Sequence, residues 1–291
     1  MPKTTDHTAS SNLFSDDSVG AYGIRLSGLE AARALLVPAA ADWPSFGLVN
    51  RVEPGPYDEI ERISSRSAEL RLHTGGKIFI DRSPGRAEFV TPRPLSSEEL
   101  VHPYLAPVAT IVAHWHDRES VHAGGFALDG RVWGVVGDRE SGKSSTLARL
   151  ALDGVTVVSD DLLVLQHTRV FAGPRAIDLR EEPAHNLGVG TSIGVAGGRE
   201  RWRLRLGPVP EELELVGWIH LAWGDRVEAV PLKGGERVER LFNQRGARLP
   251  SLSPEVLLDL ASLPSWEVRR PHAWETLGES AECLRELATA N

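Results

Sequence analysis

Arg131-Val132-Trp133-Gly134-Val135-Val136 runs directly into Gly137-Asp138-Arg139-Glu140-Ser141-Gly142-Lys143-Ser144. The first six residues are apolar enough for a buried strand, and the next eight read G-x-x-x-x-G-K-S, the pattern of a loop that cradles phosphates. Glycines let the backbone curl so that successive N–H groups point at phosphate oxygens, and the helix that follows presents its positive end. In this reading Gly137, Asp138, Arg139, Glu140, Ser141, Gly142, Lys143, Ser144 and Ser145 line a nucleoside triphosphate. Lys143 reaches the β- and γ-phosphates, and Ser144 offers its hydroxyl to Mg²⁺. The chain has 28 glycines but only 4 lysines among 291 residues, so on the order of 0.005 accidental matches are expected. A glycine turn without a ligand is a poor explanation.

Working outward, the pattern is strand, glycine loop, helix over 145–152 and strand again, the alternation of an α/β unit. The second strand is β-branched, Val155-Thr156-Val157-Val158, and ends in Ser159-Asp160-Asp161. Two carboxylates are thereby expected at the end of a strand adjacent to the loop strand, where an α/β sheet presents its ligand-facing groups. Such a pair suits holding a metal and accepting the proton of an attacking hydroxyl. It would also suit a plain turn between two strands. Before the loop stands Ser120-Val121-His122; a lone histidine is more often structural than functional.

The flanks complete the outline. Residues 1–19 read as a disordered polar tail, 20–115 as a β-rich N-terminal region that either stands alone or extends the later sheet, and 116–291 as the catalytic region. Within the N-terminal region the residues predict a strand over 22–27, a helix over 29–36 and a small antiparallel sheet over 46–90, with turns at Gly75-Gly76 and near Pro54, Pro56 and Pro84. Ser96-Ser97-Glu98-Glu99 predicts a helix start, and 105–115 a buried helix. Further on, strands are expected over 214–223 and 226–232, and helices over 237–242, 254–263 and 274–288. The glycine-rich stretch 188–198 and the arginines of 199–205 read as a loop, either simply solvated or closing on transferred phosphate.

Composition narrows the function. Net charge is −8, from 32 basic and 40 acidic residues, which argues against tracking along a nucleic-acid backbone. No apolar run approaches a membrane span of about 18 residues. One cysteine, Cys283, allows no internal disulfide, so a reducing, cytoplasmic location is expected. No N-K-x-D element that reads guanine occurs.

Taken together, Ser120-x-His122, Gly137-Asp138 through Ser144, and Asp160-Asp161 resemble the catalytic domain of HPr kinase/phosphorylase and its shorter relatives. The resemblance spans about forty-five residues. It implies an α/β P-loop kinase domain of the HPr kinase C-terminal type, with ATP and Mg²⁺ as cofactors. It further implies Asp160 as the base that deprotonates the acceptor hydroxyl, His122 beside it, and Asp161 with Ser144 at the metal. An assembly of several copies is compatible with it. Two features of the bifunctional members are absent: a glutamate where this chain has Ser145, and a downstream E-x-R-G-x-G stretch. The expectation therefore moves away from phosphorylase activity and from HPr as substrate. The opening Tyr22-Gly23-Ile24-Arg25-Leu26-Ser27 resembles shorter HPr-kinase-like proteins, some of which phosphorylate a peptide serine.

The expected activity is transfer of the γ-phosphate to a hydroxyl, first of a peptide or protein Ser or Thr. A small hydroxylated metabolite is the alternative acceptor, and a nucleotide-dependent switch that loses phosphate only to water is the alternative function.

Overall fold

Alternating apolar and polar residues over the first hundred positions give short strands. The computed structural model, which describes residues 18–244 and 254–290, gathers them into a sheet of their own. Residues 1–17 of the expected tail lie outside the described residues, and Val19 already opens the strand Val19–Ala21. In spatial order this eight-stranded sheet runs Val37–Pro38, Val19–Ala21, Ile24–Ser27, Ser45–Val52, Arg86–Thr91, Lys77–Asp81, Ser67–Arg71 and Arg62–Ile63. The expectation of an antiparallel sheet needs correction, because Ser45–Val52 is parallel to both of its neighbours. Residues 28–44 and 53–85 are long enough to serve as the crossovers that parallel pairing requires. None of these strands extends the sheet that carries the glycine loop. The helix expected over 29–36 shrinks to the 3-10 segment Glu30–Leu35, broken at Ala32, before the chain extends into Val37–Pro38.

The second sheet has nine strands, among them the loop strand Arg131–Val136. Next to it lies Glu212–Trp223, and beyond that Ser265–Arg270, both parallel to it. The register of the first pairing is keyed by side-chain shape. Trp133 lies opposite Gly217 and Trp218 opposite Gly134. A Cβ on Gly217 would come within 2.3 Å of Trp133, and one on Gly134 within 2.4 Å of Trp218. Any slip would drive an indole into a neighbouring side chain.

On the other side of the loop strand the neighbour is Gly124–Leu128, antiparallel, and only then Thr156–Ser159. The carboxylate strand is therefore one position further away than expected. The cause is local: Asp129-Gly130, both at positive φ (50° and 75°), closes a tight hairpin between 124–128 and 131–136 that takes the adjacent position.

Two further expectations change. The stretch 188–205 is not a loop. Thr191–Ala196 and Arg199–Arg205 form a hairpin about Gly197-Gly198, both at positive φ, and pair with Ala176–Leu179 in a three-stranded sheet. Glu228–Pro231 pairs with Ser265–Arg270, a strand hidden in the sequence by its charges. Glu267 is nonetheless buried, partnered by Arg240 and Arg269.

The helices agree better. Ser97–Val101 starts at a capping box of Ser96 and Glu99. Helix Leu105–Trp115 is buried along most of its length and joins side chains of both large sheets in one apolar cluster. Lys143–Leu152, Gly234–Asn243, Pro254–Ser262 and Leu277–Ala290 follow, together with Glu181–Leu187, a helix the sequence reading did not include. The N-terminal hairpin docks on the second sheet through Tyr22 N–H to the Ala172 carbonyl, 2.7 Å, and Arg118 Nη1 to the Gly23 carbonyl, 2.7 Å. Among the described residues no helix is long and apolar enough to cross a membrane.

Candidate functional site

The loop of residues 137–142 leaves the strand Arg131–Val136 and enters helix Lys143–Leu152 through Gly142, which is in the left-handed region at φ 80°. Among the described residues no side chain caps this helix, which leaves the N–H groups of its first turn facing the loop cavity, a geometry suited to an anion. Lys143 folds back inside the loop, donating from Nζ to the Gly137 carbonyl at 2.6 Å and to that of Asp138 at 3.3 Å. Burial pulls its pKa down, opposed by Asp161, Asp160 and Asp138. Asp138, Arg139 and Glu140 form the exposed rim. There Asp138 Oδ1 accepts from Gln244 Nε2 at 3.3 Å, and Glu140 pairs with Arg180 at 2.7 Å.

Opposite the loop stand the two carboxylates. Consecutive side chains of an extended chain point to opposite sides, and the chain turns after Ser159, whose Oγ donates to the Leu162 carbonyl at 2.7 Å. Asp160 thus points inward and Asp161 outward. Asp160 is buried, meets the Ser144 hydroxyl, and leaves Oδ1 without a hydrogen-bond partner among the described residues. Burial, then the charge of Asp161, lift its pKa to about 7, with the Ser144 hydroxyl pulling the other way. Asp161 is 45% exposed and lies 3.4 Å from His122 Nδ1. The expected partnership is thereby exchanged: His122 stands beside Asp161, and Ser144 beside Asp160. The His122 pKa is lowered by packing around the ring, which outweighs the attraction of Asp161. Its backbone N–H donates to the Gln244 carbonyl at 2.6 Å.

Three neighbours were not anticipated at the site. Tyr22, at φ 58° and buried, brings its phenol to the Ser159 side chain, and burial followed by the charge of Asp161 raises its pKa. Arg270, from the end of strand Ser265–Arg270, donates from Nη2 to the Ser141 carbonyl at 2.5 Å and so holds the loop from behind. Trp223, its register partner, lies under that guanidinium, 4.4 Å from Arg270 Cζ to the ring centroid. Only the positive φ of Tyr22 had a sequence signal, the following Gly23.

Gly142 tests this construction. A Cβ there would stand 2.3 Å from Arg270 Nη2, and an L-residue in the left-handed region costs about 1–2 kcal/mol. Gly142→Ala is expected to lower stability by roughly that amount and to weaken anion binding at the loop. Urea unfolding and a triphosphate titration measure the two effects.

The donor set suits Mg²⁺ held largely by phosphate and water. Among the described residues no group of three or more His, Cys, Asp or Glu is placed to hold a metal alone. A hydroxyl and a nearby carboxylate with an unpartnered oxygen are what a cation that keeps several waters uses.

No family model matches the chain, and no curated protein matches it. Among solved structures it shows a distant similarity to the Hpr(Ser) kinase/phosphatase from Coxiella burnetii, at 15% identity and a TM-score of 0.29, over 60% of this chain and 99% of that one.

Proposed function

We propose that this chain is a P-loop phosphotransferase that moves the γ-phosphate of ATP to a hydroxyl, with a Ser or Thr of a peptide or protein as the first acceptor class. The observation that carries the reading is the convergence of Lys143, Ser144, Asp160, Asp161 and His122 around one loop at the end of a parallel strand. The motif resemblance supplies the acceptor class.

In this mechanism the loop N–H groups and Lys143 bind and orient the triphosphate, with Lys143 exchanging the Gly137 and Asp138 carbonyls for phosphate oxygens. Mg²⁺, when bound, neutralises charge on the β- and γ-phosphates. Ser144 and Asp160 would hold that side of the site. The half-exposed Asp161, beside His122, is the carboxylate open to an incoming hydroxyl. As the acceptor oxygen bonds to the γ-phosphorus and the bond to the ADP oxygen breaks, the hydroxyl proton passes to the aspartate pair. Two adjacent carboxylates titrate as a unit, so Asp160 shares in that step through its charge.

The test uses γ-labelled ATP with Mg²⁺ and a mixture of Ser- and Thr-containing peptides or of hydroxylated metabolites. Labelled peptide is the expected product; labelled metabolite would move the acceptor class, and label only in inorganic phosphate would replace the kinase reading by a switch. Lys143→Ala is expected to weaken ATP binding about 10- to 100-fold, the loss of charge-assisted hydrogen bonds of about 1.5–3 kcal/mol. Calorimetry reads that change directly.

A further inference from the structure

The phosphate loop accounts for only one end of a nucleotide. Strands Arg131–Val136, Glu212–Trp223 and Ser265–Arg270 are parallel, so the segments that follow them lie along one sheet edge. That is the edge where open α/β sheets take their ligands. Glu212–Trp223 continues past the level at which the loop strand ends, Val136 being opposite His220. Its last residue, Trp223, comes to rest against the loop: a Cβ built on Gly142 would lie 3.4 Å from Trp223 Cη2. Trp223 is nevertheless 42% exposed.

Two contacts fix this ring. Arg270 lies over it at 4.4 Å while bonded to the Ser141 carbonyl, and His272 meets it edge to face, centroids 4.4 Å apart at 72°. His272 is exposed, and two residues on the chain is tied down by Trp274, which donates from Nε1 to Glu182 Oε1 at 3.1 Å. The result is an open aromatic corner, held rigid by a cation and touching the loop backbone. Neither the core nor the phosphotransfer step uses it.

We infer that Trp223 and His272 form the stacking platform for the base of the nucleotide whose phosphates lie in the 137–144 loop. This rests on the proposed nucleotide binding at that loop. Stacking tolerates any base, since each has a π-face, and the neighbouring guanidinium strengthens the attraction. The corner thus explains how a site without N-K-x-D could still hold a nucleobase.

Calorimetric titrations with ATP and with inorganic tripolyphosphate, both with Mg²⁺, separate the two ends of the ligand. Wild type is expected to bind ATP more tightly than tripolyphosphate. His272→Ala and Trp223→Leu are expected to weaken ATP about 5- to 100-fold with tripolyphosphate unchanged. Variants that bind ATP like wild type, or a wild type that binds both ligands equally, would overturn the platform and leave the loop reading standing. If Trp223→Leu weakens both ligands it has loosened the loop, and the exposed His272→Ala decides. A wild type that binds neither, or a Lys143→Ala variant that binds both like wild type, sinks the loop reading and the platform with it.

Discussion

Asp160→Asn is expected to fold, to bind ATP, and to transfer phosphate about 10²- to 10⁴-fold more slowly, the usual size of a lost proton-transfer or charge-positioning group. The same residue sets the pH dependence. In the nucleotide-free protein its pKa is raised to about 7 by burial and by Asp161, so the active, ionised form fills as pH rises. The wild-type kcat/KM should climb through about pH 7, and the variant should lose that limb. Stability runs the opposite way. The folded state holds the proton more tightly than the unfolded chain, whose aspartate titrates near the usual 3.8. Asp160 therefore favours the fold fully below about pH 4, and this contribution is lost as pH rises toward 7. At pH 8 Asp160→Asn is expected to be the more stable protein by about 2 kcal/mol, allowing for an imperfect amide fit. The advantage should vanish at about pH 5.5 and be reversed by about pH 4. Urea unfolding at the two pH values and a pH–rate profile read both halves; a wild-type rate flat from pH 6 to 8 would remove Asp160 from the titrating role.

Asp178→Ala carries the largest expected cost to stability. Arg203, with its side chain 2% exposed, donates to Asp178 through Nε at 2.7 Å and Nη2 at 2.8 Å, while the Asp178 side chain is wholly buried. The same guanidinium reaches the His102 carbonyl at 2.9 Å and Glu98 at 3.1 Å. It thereby fastens helix Ser97–Val101 to the three-stranded sheet. Removing the carboxylate leaves a buried cation with only the partly exposed Glu98 as its charged partner, at a cost of about 3 kcal/mol, the low end for a broken buried pair. Replacing the pair with apolar residues, as in Asp178→Leu with Arg203→Met, should recover much of that loss. If the single variant unfolds at the wild-type urea concentration, the pair is not buried as described. Because Asp178 lies on the strand leading to Arg180, which pairs with Glu140 of the loop, a milder loss of ATP affinity is also expected.

What the sequence by itself determined was local. The strand and helix on either side of residues 137–142, the β-branched strand before Asp160, the capping box at Ser96 and the buried helix of 105–115 each depend on backbone geometry or burial over a few neighbouring residues, and these elements stand where they were expected. The extra strand between the loop and the carboxylates was not read, because it depends on which hairpin partner claims the position beside the loop strand. Tertiary structure decided whatever required distant segments to meet. Strand Ser265–Arg270 had no place in the sequence reading, and only the ion pairs with Arg240 and Arg269 make the buried Glu267 tolerable in it. The arginines of 199–205 looked free until Asp178 and Glu98 were brought to them. The division of labour between Asp160 and Asp161 follows the same logic. Adjacent carboxylates are equivalent in a sequence, and they diverge once the turn at Ser159 sends one into a low-dielectric pocket beside Ser144 and the other toward solvent and His122.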